Sequence, residues 1–198
     1  MKLTTNLVLL RRHNACEDRY AHLVAALGPK WGGAKPIPFL QILKINGLDD
    51  ALWALRAVPQ KQTAARDRIA RLFAADCAAH VLRLFEAESP TDTRPRECIV
   101  VARRFVNGKA TANLTTHDAA ARGELAAASD AAASSFVAAS AAAAASDAAA
   151  AAFHAAAAAA AAAASTYAAE RKWQENRLVR YLRDGPLPRP MPLPRRAR

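Results

Sequence analysis

Alanine fills 33 of the 51 positions between residues 119 and 169, and no other feature constrains this chain so strongly. Alanine has the highest helix propensity of any residue, but its methyl group removes little surface from water. The stretch is therefore expected to be helical and unable to build a core alone. It also explains why 53% of the chain is hydrophobic while only 6% is aromatic. The octet Ala-Ala-Ala-Ser-Asp-Ala-Ala-Ala stands at 126–133 and again at 143–150, with Phe136 and Phe153 following at the same offset. On one straight helix, copies 17 residues apart are turned by roughly 100° and share no face. Two or three shorter helices, each opened by a Ser-Asp cap, fit that repeat. A single long helix instead aligns Ser129, Ser140, Asp147, His154 and Ser165. Either form needs a surface to dock on, in the same chain or in a second copy through 126–169.

Methyl groups do not make a membrane span, and no run of about 18 residues is both bulky and apolar. The start, Leu3 to Leu10 followed by Arg11-Arg12, lacks a cleavage-type sequence, so a cytoplasmic protein is expected. Cys16, Cys77 and Cys98 are an odd number without a paired spacing, as expected of reduced, packed thiols. Runs that alternate apolar and polar residues are nearly absent, so the fold is expected to be all-α.

The net charge of +11 is uneven. Residues 1–118 carry +7, residues 119–169 carry −2 and residues 170–198 carry +6. These zones suggest a helical globular domain over 1–118, an alanine-rich helical region over 119–184 and an extended Pro/Arg tail over 185–198. Within the first, helices are expected at Leu3–Arg12, from a cap at Asn14 with Glu17 to Gly28, and at about 38–45, ending at Asn46-Gly47. Another is opened by Asp49 or Asp50 and carries Leu52, Trp53 and Leu55. The strongest pattern runs over 61–88, with Ile69, Leu72, Phe73, Cys77, Val81, Leu84 and Phe85 at spacings of three and four. After Ser89-Pro90, Thr93 caps a helix that ends at Asn107-Gly108. A last helix, 167–182, precedes Gly185-Pro186, and the remaining proline-spaced run is expected to be extended and without fixed structure.

Catalytic chemistry finds little support. Asp76, Cys77 and His80 sit together on one helix, but such near neighbours cannot all converge on a substrate. A surface Asp76–His80 pair beside a core Cys77 is the expectation. Phosphate loops, metal-ligand clusters and HExxH are absent from the sequence, so no catalytic residue, cofactor or metal is expected. Asp49-Asp50 and Glu86/Glu88 read as helix caps and solvated helix ends. Arg94, Arg96, Arg103 and Arg104 cluster on one helix, with Arg180 and Arg183 on another, and all six are candidate contacts to a partner or to nucleic acid.

Two segments carry a resemblance. One is Asn46-Gly47-Leu48-Asp49-Asp50-Ala51-Leu52-Trp53-Ala54-Leu55-Arg56. The other runs from Asp76-Cys77-Ala78 through Val81-Leu82 and Phe85-Glu86 to Pro90-x-Asp92-x-Arg94-Pro95-Arg96, Ile99, Ala102-Arg103 and Gly108. Together, over about residues 3–125, they resemble an immunity-protein family, the fifth numbered immunity class of bacterial polymorphic toxin systems, also seen in phage-encoded proteins. The resemblance implies an all-helical, non-enzymatic protein that binds and neutralises a partner protein such as a toxin. An anti-defence inhibitor such as an anti-CRISPR, acting on a defence-system component, is the alternative. A nucleic-acid-binding accessory role is the third, and a homodimer is possible. Arg94 and Arg96 fall at a helix start, where the dipole disfavours cations. A lock between the two segments, with Asp92, Asp76 or Asp49-Asp50 answering Arg94 and Arg96, is the structural expectation, and partner contact by these arginines is the functional one.

Overall fold

A computed structural model of the chain describes residues 2–88, 90–108, 167–184 and 191–195. Its elements are α1 (Leu7–Arg12), α2 (Glu17–Leu27), α3 (Phe39–Ala54), α4 (Thr63–Glu88), α5 (Arg94–Val106) and α6 (Tyr167–Asp184). A small antiparallel ladder, β1 (Thr4–Thr5) with β2 (Ile37–Pro38), pairs Thr4 with Pro38 and Thr5 with Ile37. The protein is thus mainly α-helical. The questions of the 17-residue repeat, of one long helix or several, and of pairing through 126–169 lie outside the described residues.

The chain begins differently from the expected Leu3–Arg12 helix. Asn6 caps α1, its side chain accepting from the Leu9 amide at 2.8 Å, so Leu3 to Thr5 are free to pair with β2. Buried Gln62 holds this ladder at both ends of its amide, accepting from the Thr4 amide at 2.9 Å and donating to the Thr4 hydroxyl at 3.0 Å. Asn14 does not cap α2. It takes a left-handed φ of 59°, and Cys16 stands at the N-cap without a side-chain bond. Asn107 and Gly108 end α5 as expected.

α3 is two helical pieces joined at a kink, which lies where the Asn46-Gly47 stop was expected. Gly47 adopts φ 85° and ψ −175° there, a backbone state that a Cβ disfavours. Beyond the kink Leu48, Ala51, Leu52, Ala54 and Leu55 all point into the core, while Trp53 is half-buried. A single core then runs from Leu3 through Phe39, Ile69, Phe73 and Ile99 to Leu178, Tyr181 and Leu182. α4 is its axis: α5 and α6 both pack on it, and α6 also contacts α3. The helix that follows the alanine zone therefore closes the core of the first zone.

Gly47→Ala tests the kink. Open space surrounds the position a Cβ would take, so the cost is backbone strain of about 1–2 kcal/mol. Urea denaturation should show a loss of that size with an unchanged slope. Stability equal to wild type would show that the turn does not need glycine.

Candidate functional site

Asp76 falls in the register set by Ile69, Leu72 and Phe73, three residues beyond Phe73, so the periodicity of α4 turns its carboxylate inward. The structure corrects the expected surface Asp–His pair: Asp76 is completely buried. Its Oδ1 accepts from Arg103 Nη2 of α5 at 2.8 Å and from the Met191 amide at 2.8 Å. Its Oδ2 accepts from Arg177 Nε of α6 at 2.7 Å, from Arg177 Nη2 and from the Tyr181 hydroxyl. Two guanidiniums, a phenol and a backbone N–H occupy the acceptor sites of one carboxylate. Desolvating that charge costs several kcal/mol, which only such complete pairing offsets. Burial and the adjacent Asp76 push the Tyr181 phenol well above its usual range.

One helical turn along, His80 pairs with Glu170 instead of Asp76. His80 Nδ1 lies 2.7 Å from Glu170 Oε2, and the imidazole stacks on Trp173 with centroids 3.8 Å apart and planes at 5°. Buried Gln174 donates to Glu170 Oε1 at 3.0 Å. Since Asp76 meets residues 177 and 181 while His80 meets residue 170, α4 and α6 run antiparallel. Cys77 is fully buried, and burial, then Glu170 and Asp76, hold its thiol well above the usual range. Asp76 and His80 are thus drawn to different partners, and a protonated core thiol is a poor nucleophile. Cys98 is likewise buried, whereas Cys16 is exposed and departs from the packed thiol expected.

The six candidate arginines divide. Arg103 is held by Asp76. Arg96 donates from Nε and Nη2 to the two oxygens of Glu86 at 2.7 and 2.8 Å, so Glu86 is an ion-pair partner and not a solvated helix end. Arg94 meets Asp92 at 2.8 Å, and Asp92 also accepts from the Arg94 amide at 3.0 Å. This carboxylate, not the Thr93 hydroxyl, caps α5, and the Arg94 hydrogen bonds hold it below its ordinary range. Asp49 and Asp50 are engaged elsewhere: Arg171 of α6 pairs with Asp49, and Arg19 Nε with Asp50 at 2.8 Å. Asn46 completes that second contact, donating to Asp50 at 2.7 Å and to the Arg19 carbonyl at 2.9 Å. Arg104, Arg180 and Arg183 are exposed, Arg183 with Asp184 at 3.5 Å.

One expectation is corrected and one feature is added. Met191 to Arg195 were expected to lack fixed structure, yet Met191 and Leu193 pack against the core, and the Pro194 carbonyl accepts from Arg96 at 2.9 Å. A cleft of about 280 Å³ opens between α2 and α3, floored by Leu23 and Ile42 and edged by Tyr20, Trp53, Asp49 and Asp50. Among the described residues, no His/Cys/Asp/Glu group could hold a metal ion, and no helix is long and apolar enough to cross a membrane.

Asp76→Asn should cost about 3–5 kcal/mol, because it leaves two largely buried guanidiniums without their anion. Tyr181→Phe should cost about 1–2 kcal/mol in thermal or urea unfolding. The phenol holds its proton more tightly in the fold than its ordinary pKa of 10.0 allows. Its contribution is therefore complete below that pH and is lost as pH climbs toward the raised value. Wild type should lose stability in strong alkali more steeply than Tyr181→Phe. Equal slopes would place the phenol outside the network.

Residues 60–181 match the family model described as Imm-5 like putative immunity protein. The match takes in α4, α5 and nearly all of α6, hence Asp76, Arg103, Arg177 and Tyr181, and starts after the Asn46–Arg56 segment. No curated protein and no solved structure matches the chain. The matched span covers more than half of the 198 residues, and the chain belongs to the Imm-5 like immunity-protein family.

Proposed function

We propose that the chain binds a partner protein and neutralises it by occlusion, without catalysis. Family membership carries this reading, since immunity families are generally non-enzymatic. The division of the arginines supports it and narrows the contact. Arg94, Arg96 and Arg103 are each held by a carboxylate in a half-buried or buried pair, while Arg104, Arg180 and Arg183 stay exposed, Arg183 beside an equally exposed Asp184. Exposed guanidiniums on a chain of net charge +11 favour an acidic partner surface. The partner is a toxin in the immunity setting, or a component of a defence complex in an anti-defence one.

The triple variant Arg104→Glu, Arg180→Glu, Arg183→Glu tests this. Pull-down with the wild-type chain from its native host, read by mass spectrometry, identifies the partner. Co-expression then shows whether the chain relieves its toxicity or blocks its activity. The variant should keep the wild-type melting temperature and lose at least about tenfold in affinity, or about 1.4 kcal/mol. Capture that nuclease treatment removes, with affinity collapsing between about 50 and 200 mM salt, would replace the reading with nucleic-acid binding. Unchanged partner affinity would move the contact off these arginines.

A further inference from the structure

We propose that the surface of α4 and α5 around Asp76 and Arg96 is a recognition site for an extended, proline-spaced peptide, filled in the structure by the chain's own Met191–Arg195. The proposal goes beyond the inhibitory reading and does not depend on it.

The sequence Pro190-Met191-Pro192-Leu193-Pro194 has only two backbone N–H groups, because proline has none. Met191 and Leu193 each precede a proline, which steers their backbone away from helix toward extended states. One of the two amides, that of Met191, donates to the buried Asp76 carboxylate at 2.8 Å. Three residues on, the Pro194 carbonyl accepts from Arg96 Nη2 at 2.9 Å, while Glu86 holds the same guanidinium in place. Met191 and Leu193 lie half-buried against the core, Pro194 is half-buried beside them, and Pro192 and Arg195 are exposed.

This is how extended peptides are read: main-chain groups are bound by fixed polar side chains, and apolar side chains between them serve as anchors. Prolines lower the entropy lost on binding. The groups that hold the backbone, Asp76 and Arg96, belong to α4 and α5. The covalent link instead runs from α6 through residues 185–190. None of the contacts requires that link, so the same segment supplied as a separate peptide makes them too. The pattern read is an apolar residue with a free N–H between two prolines, a second apolar residue, and a third proline. Attached to the chain, the segment has an effective concentration of order millimolar and blocks weak competitors.

The test uses the full chain and a fluorescent peptide covering residues 188–195, read by anisotropy. Met191→Pro in the chain deletes the donor to Asp76 and weakens the internal occupant. The peptide should bind this variant at least tenfold more tightly than wild type. A peptide carrying proline at position 191 should bind neither chain, and adding Arg96→Met to the Met191→Pro chain should weaken the parent peptide about tenfold. Should Met191→Pro lose its cooperative melt, Leu193→Ala, which trims one anchor and leaves Asp76 its donor, serves for the same comparison. Equal binding to wild-type and variant chains, absence of binding to folded variants, or equal binding of the two peptides overturns the proposal.

Discussion

A single buried carboxylate decides how this protein is assembled. Asp76 accepts from α5 through Arg103, from α6 through Arg177 and Tyr181, and from residue 191 through a main-chain amide. A charge at 0% exposure is tolerable only when its acceptor sites are filled, so packing these elements on α4 and satisfying Asp76 are the same event. Hydrophobic contacts from Leu178, Tyr181 and Leu182 supply the non-directional part of that packing. Asp76 supplies the register, because an α6 displaced by one turn would leave the anion short of its guanidinium and phenol. The His80–Glu170 pair and the His80–Trp173 stack repeat the same fixation farther along the helix pair.

Much of the arginine content is absorbed this way, which changes what the positive charge says about function. Arg68 binds the Val106 carbonyl and the Asn107 side chain at the end of α5, where a cation meets the negative end of the dipole. Arg96 holds Glu86, and Arg56 lies over the Trp53 ring. A basic helix with so many internal partners is built first as a structural element. Of the six arginines that the sequence singled out, Arg104, Arg180 and Arg183 are the exposed ones.

The helices were legible to the extent that their signals were local. The 61–88 pattern, the Asn107-Gly108 stop and the Asn46-Gly47 break all correspond to observed features, because spacing and glycine conformation act within a few residues. The start of α1 and the cap of α2 went differently, since Leu3–Thr5 are recruited by β2 and Gln62, partners 30 or more residues away. Among the site residues, the polar position on the apolar face of α4 was visible, but its partners were not. Arg103, Arg177, Tyr181 and Met191 lie 27, 101, 105 and 115 residues from Asp76, and nothing in their spacing selects them from the other basic and polar residues.

A mainly helical protein, the family resemblance and bulky side chains concentrated outside the alanine zone were all readable from the residues in order, because propensity, periodicity and residue volume are properties of the chain. Which charges are spent internally depends on the packing of distant helices. Asp76 has the same formula as Asp49, yet one is buried and fully bonded while the other is largely exposed. Whether a carboxylate holds a fold together or faces solvent depends on which helices converge on it, and long-range convergence sets the local dielectric and the donors within reach.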